Sequence, residues 1–149
     1  MRKGEITDVD LRLLDEYRRS FTEVYGEVAG AVRRQLDLEP TGRPAKSTTS
    51  IAEKLRRESI RLSQIQDIAG CRLVVQDPVE QDLIVISLAE LFPNISVVDR
   101  RLKPSHGYRA VHVIVKVDQK AVEIQIRTRL QQLWAELSEK LSDVIDPAN

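Results

Sequence analysis

Val122-Glu123-Ile124-Gln125-Ile126-Arg127-Thr128 alternates without interruption. In an extended chain Val122, Ile124 and Ile126 fall on one side and Glu123, Gln125 and Arg127 on the other. Just upstream, Val111, Val113, Val115 and Val117 alternate with Ala110, His112, Ile114 and Lys116. Only Asp118-Gln119 joins the two runs. A tight two-residue turn there sets Val117 opposite Lys120, His112 opposite Gln125 and Ile114 opposite Glu123. The hairpin then carries His112, Glu123, Gln125 and Arg127 on one surface, with a valine and isoleucine surface behind. Such a polar cluster suits a site; a solvent-facing sheet surface has the same pattern.

At 149 residues the chain has the length of one domain with a substantial core. Its 23 basic and 23 acidic residues balance, so overall charge argues for no nucleic-acid partner, DNA included. One cysteine, Cys71, excludes an internal disulfide and a cysteine metal site, and two histidines exclude a histidine-rich one. No apolar run approaches the length needed to span a membrane and no signal-peptide core follows Met1, so the expected location is cytoplasmic. Charge is uneven locally. Arg43, Lys46, Lys54, Arg56, Arg57 and Arg61 crowd one segment, and Arg100, Arg101, Lys103 and Arg109 another. Two cationic, loop-bearing segments are what an anionic substrate requires.

From the N-terminus, Thr7-x-x-Asp10 opens a helix whose apolar residues recur at helical spacing from about Val9 to Asp37, weakened midway by Gly26 and Gly30. Pro40, Gly42 and Pro44 read as a loop. Ser50-x-x-Glu53 caps a second helix to about Arg61, and the hydroxyl- and cation-rich loop before it suits phosphate binding at a helix N-terminus. It is not a Walker A loop, since the glycine spacing is absent. Cys71–Val75 reads as a strand, Asp77-Pro78-Val79-Glu80 starts a helix to about Leu91, and Ile95–Asp99 is another strand. Tyr108, after Gly107 in a cationic loop, either stacks on a base or plugs the sheet edge. Thr128-x-x-Gln131 caps a last helix with Leu130, Leu133, Trp134, Leu137, Leu141 and Val144 on one face, and Trp134 reads as a core anchor.

Arg43-x-x-Lys46-Ser47-x-x-Ser50-Ile51, Gln66-Asp67-Ile68-Ala69-Gly70-Cys71-Arg72, Lys103-Pro104-x-x-Gly107-Tyr108-Arg109-Ala110-x-His112, and Val122 to Thr128 with Trp134-Ala135-Glu136 together resemble the RelA/SpoT synthetase domain. The resemblance covers about Thr41 to Asp146. It implies an α+β fold, a mixed sheet flanked by helices and related to nucleotidyltransferases. The expected organisation is a single domain over 1–149, with a helical part to residue 40 and a motif-bearing core over 41–146. The activity it implies is transfer of pyrophosphate from ATP to the ribose 3′-hydroxyl of GDP or GTP, giving (p)ppGpp. By position, Arg43, Lys46, Ser50, Lys54, Arg57 and Arg72 fall on the ATP side. Asp67 and Glu123 are implied as Mg²⁺ ligands and catalytic carboxylates, Glu123 also orienting or deprotonating the acceptor hydroxyl. Lys103, Tyr108, Arg109, His112, Gln125 and Arg127 line the acceptor side, with Tyr108 stacking on the base.

The chain departs from the family pattern at three places. Arg43-Pro44-Ala45-Lys46 has one residue more between its cations than the common Arg-x-Lys. Asp99-Arg100 stands where Asp-Tyr is frequent, and His106 where asparagine is. The His-Asp hydrolase domain and long regulatory region of full-length members are absent, so the resemblance is to a small stand-alone synthetase. Small members commonly carry further helix, and some form oligomers; a homo-oligomer and a chain truncated at Asn149 are both compatible with this. Other relatives pyrophosphorylate the tRNA 3′ end or adenosine nucleotides as toxins, and a degenerate nucleotide-binding regulatory module is a further alternative.

Overall fold

The computed structural model describes residues 7–58, 60–102 and 109–145. In order these form α1 (Asp8–Arg19), α2 (Phe21–Leu36), β1 (Thr41–Arg43), α3 (Thr48–Glu58), a 3₁₀ turn (Leu62–Gln64), β2 (Ala69–Val75), α4 (Pro78–Leu91), β3 (Ile95–Asp99), β4 (Val111–Val117), β5 (Lys120–Thr128) and α5 (Arg129–Ile145).

Asp118 and Gln119 both take positive φ, 50° and 64°, the geometry of the two-residue turn whose twist matches that of its flanking strands. The register is the one expected: Val117 faces Lys120, His112 faces Gln125 and Ile114 faces Glu123. Around this hairpin the five strands order as β1-β2-β5-β4-β3. β2 runs parallel to β5, and the other neighbouring pairs are antiparallel, so the sheet is mixed. Ala69, Cys71, Leu73 and Val75 of β2 lie beside Val122, Ile124, Ile126 and Thr128 of β5, and all are buried. Val24, Val28 and Val32 of α2 and Ile84 and Leu88 of α4 belong to the same core. Residues of the other parity, Gly70 and Arg72 beside Glu123 and Gln125, form the opposite face.

Four expectations need correction. The helix expected from Val9 to Asp37 is two helices. At Ser20 ψ opens to −17° and the hydroxyl donates to the Tyr17 carbonyl at 2.6 Å, bending the chain so that Phe21 turns into the core against Tyr17. Both glycines lie inside α2 without breaking it. The segment Thr41–Arg43, read as loop, is an edge strand antiparallel to β2. The cap of α3 is Ser47 rather than Ser50, its hydroxyl accepting from the Ser50 N–H at 3.2 Å, and the helix ends at Glu58. The apolar stripe of α5 faces outward: Leu130 is 77% and Trp134 46% exposed, while Ala135 is buried. The start of α5 is pinned through Gln131, which caps back to the Thr128 N–H at 3.0 Å and accepts from Gln81 at 2.9 Å. At ~100° per residue, Gln131, Gln132 and Ala135 then share the inner face, and the leucines lie roughly opposite.

Candidate active site

β1 approaches β2 so closely that a Cβ on Gly42 would sit 2.2 Å from the Gly70 carbonyl oxygen. Only glycine permits that approach. With the edge strand drawn in, an open pocket of about 290 Å³ forms, lined by Gly42, Arg43, Asp67, Arg72, Glu123 and Gln125 among others. β2 and β5 run side by side here, which brings the chain entering β2 at Asp67 next to Glu123.

Asp67 is held between two ammonium groups, Lys46 Nζ at 3.0 Å and Lys54 Nζ at 3.1 Å, one on each carboxylate oxygen. Lys54 is on α3; Lys46 is on the loop before it, whose N–H donates to the Ile68 carbonyl and whose carbonyl accepts from Arg18 Nε at 3.0 Å. The N-terminal helix therefore also anchors the lysine loop. Burial pushes the Asp67 carboxyl up, but the hydrogen bonds from the two lysines outweigh it and hold it below its ordinary value.

Glu123 accepts from Gln125 Nε2 at 2.8 Å and lies 3.6 Å from His112 Nδ1. Burial raises its carboxyl, as does the charge of Asp67; donation from His112 and Gln125 prevails, and the net shift is downward. Both carboxylates are thus anions at neutral pH. Behind them Arg127, only 7% exposed, donates to Gln125 Oε1 at 3.0 Å and to Gln132 Oε1 at 2.9 Å. Arg72 Nε is buried with no hydrogen-bond partner among the described residues. A cationic group so placed calls for an anion.

Of the residues singled out from sequence, Arg43, Asp67, Arg72, Glu123 and Gln125 meet in the pocket, with Lys46 and Lys54 on Asp67 and His112 on Glu123. Arg127 stands behind Gln125. Ser50 is engaged with Ser47, its hydroxyl accepting at 2.8 Å. Arg57 and Arg109 are exposed. Lys103 and Tyr108 lie outside the described residues. Gln132 was not anticipated, and nothing in its sequence context marks it, because its contact with Arg127 depends on how α5 is rotated. Cys71 is buried, and burial pushes its thiol up to about 12.

Among the described residues no three histidine, cysteine or acidic side chains cluster as a ready-made metal cage. Two carboxylates beside an anion-seeking pocket fit Mg²⁺, which is held by one or two carboxylates together with substrate phosphates. No helix among these residues is long and apolar enough to cross a membrane.

Comparison with known proteins places the arrangement. An uncharacterised protein of Mycobacterium tuberculosis is 38% identical over 124 residues, covering 81% of this chain and 45% of the relative. The chain therefore spans less than half the length of that relative. GTP pyrophosphokinase YjbM of Bacillus subtilis is 33% identical over 154 residues, covering 88% of this chain and 72% of the relative. The crystal structure of the small alarmone synthetase 1 from Bacillus subtilis bound to its product pppGpp matches with a TM-score of 0.61 at 31% identity, over 88% of this chain and 78% of that one. The model for the region found in RelA/SpoT proteins matches residues 42–142, and with that sheet and those relatives the chain belongs to the RelA/SpoT family, as a small alarmone-synthetase-like domain.

Proposed function

We propose that this site transfers the β,γ-pyrophosphate of ATP to the ribose 3′-hydroxyl of GDP or GTP. The observation that carries the reading is the buried, unpartnered Arg72 Nε in a pocket that also holds Asp67, Glu123 and Arg43. A guanidinium whose Nε lacks a hydrogen-bond partner, in one pocket with two ionised carboxylates, suits phosphate oxygens and a metal together. The names of the relatives, a GTP pyrophosphokinase and an alarmone synthetase, support the same chemistry.

In this reading Arg43, Lys46, Lys54 and Arg72 take the donor phosphates. Asp67 and Glu123 would hold Mg²⁺, which when bound supplies positive charge to the phosphate oxygens. Glu123 orients the 3′-hydroxyl and accepts its proton. The 3′-oxygen forms a bond to the β-phosphorus of ATP, the bond from that phosphorus to the α–β bridging oxygen breaks, and AMP leaves with the electron pair. Glu123 is ionised at neutral pH, its hydrogen bonds outweighing burial, and so has the lone pair that takes the proton. His112 and Gln125 serve the acceptor side, as do Lys103, Tyr108 and Arg109 by their position in the family motif.

Incubating the protein with Mg²⁺ and β- or γ-labelled ATP, separately with GDP, GTP, ATP and tRNA, tests this. Label moving to GDP or GTP supports the reading. Label moving only to tRNA or to an adenosine nucleotide replaces the acceptor, and no transfer to any of the four overturns it.

A further inference from the structure

A guanidinium has five N–H donors and no acceptor, so an amide in contact with it must present its oxygen. Arg127 Nη2 donates to Gln125 Oε1 at 3.0 Å. The planar amide of Gln125 then turns its NH₂ the other way, where Nε2 donates to Glu123 Oε1 at 2.8 Å. On its far side Arg127 Nη1 donates to Gln132 Oε1 at 2.9 Å, and the Gln132 NH₂ donates to Glu136 Oε1 at 2.8 Å. Donor and acceptor are thus assigned in one sense at each step from α5 to Glu123. A flipped Gln125 amide would set oxygen against carboxylate and NH₂ against guanidinium, two repulsive contacts in a half-buried place.

We propose that Gln132 and Arg127 are positioning residues of this site: they lock the Gln125 amide so that it holds Glu123 Oε1, leaving Oε2, the oxygen beside His112, for the proton or the metal. The inference rests on the pyrophosphate-transfer reading for its kinetic effect and on geometry alone for the lock. α5 takes part through a side chain on its inner face, although its outer face carries the larger residues. Gln132 touches no substrate in this account; it acts through Arg127 and Gln125.

The test uses the full chain and two variants. Gln132→Leu removes the acceptor at similar volume, and Gln132→Glu, made throughout in a Glu136→Gln background so that two carboxylates do not meet, keeps one. Loss of a supporting hydrogen bond of this kind lowers activity by about 10- to 100-fold. For Gln132→Leu that loss is expected in kcat, with KM for ATP and for the acceptor nearly unchanged and Tm close to wild type. Gln132→Glu is expected to restore most of kcat. In a Gln125→Ala background Gln132→Leu should add no further loss, because the amide it acts through is gone. Independently of turnover, the side-chain amide ¹H–¹⁵N signals of Gln125 should move in Gln132→Leu and return in Gln132→Glu. Unmoved Gln125 signals overturn the proposal. So does a Gln132→Leu loss that adds to that of Gln125→Ala, or one that Gln132→Glu fails to restore. A wild-type protein that transfers label to no acceptor defeats the function reading instead, and the amide signals then decide the lock by themselves.

Discussion

Arg72 bears a cost in the folded protein that its neighbours do not relieve. A buried donor without a partner is unfavourable, so removing it should not weaken the fold. Arg72→Met is therefore expected to leave Tm unchanged or raised while weakening ATP use. A charged hydrogen bond of about 1.5–3 kcal/mol corresponds to roughly 10- to 100-fold in KM for ATP. Melting curves and ATP titrations on one preparation check it, and a lowered Tm with unaltered ATP kinetics would make Arg72 a structural residue. The carboxylates behave differently. Glu123→Gln and Asp67→Asn should each reduce product by orders of magnitude, since an amide keeps the volume and loses the charge that Mg²⁺ and the proton need. Asp67→Asn should also lower Tm, because Lys46 and Lys54 are left facing each other across a neutral group. Near wild-type rates at saturating Mg²⁺ in either variant would remove that residue from the mechanism.

Among the elements, β1 is the shortest strand and among the most exacting. A methyl group at Gly42 meets backbone rather than a flexible side chain, so β1 must shift away from β2. Gly42→Ala is expected to lower both Tm and activity, with the loss of activity the larger because Arg43 moves with the strand; activity assays beside melting curves read the two separately. At the far edge, Arg101 donates to Asp99 at 2.7 and 2.9 Å and pairs with Asp82 at 2.8 Å. The Arg101 hydrogen bonds hold the Asp99 carboxyl below its ordinary value against the opposing effect of burial. A depressed folded-state value stabilises above the unfolded value of about 3.9 and is lost as pH falls through the folded one. The Tm difference between wild type and Asp99→Asn should therefore be full near neutrality and shrink as the solution is acidified below that value. A constant difference would show that the pair contributes through packing. The elements also show what a sequence can disclose. The hairpin register was legible because a period of two and a two-residue link leave one pairing. Asp67 and Glu123 could be singled out because their motifs are local, and both line one pocket. β1 was hidden by the prolines and glycine around it, which read as a loop, and the cap of α3 by four consecutive hydroxyl residues, Ser47 to Ser50, that offer several candidates. The two lysines on Asp67 could not be paired from sequence, since the contact joins a loop, a helix and a strand entrance.

At the scale of the molecule, the outward stripe of α5 shows why amphipathicity alone misled. Leucines at helical spacing say that a helix has an apolar face; Gln81, Gln131 and Arg127 determine which face meets the sheet. Trp134→Ala should accordingly cost little Tm, whereas Ile124→Ala, at a position with no exposure, should cost about 2–5 kcal/mol. Chemical denaturation of both variants compares them directly, and a Trp134→Ala loss equal to that of Ile124→Ala would place the tryptophan in the core. The order of strands carries a consequence for how such a chain is made. β5 lies between β2 and β4, and among the described strands it comes last in sequence. As the polypeptide leaves the ribosome, Lys46, Lys54 and Asp67 emerge early, while Glu123 arrives only after α4, β3 and β4. The slot beside β2 stays open until β5 enters it. Glu123 belongs to β5 and lines the pocket together with Asp67, so the pair of carboxylates comes together only once β5 has entered that slot.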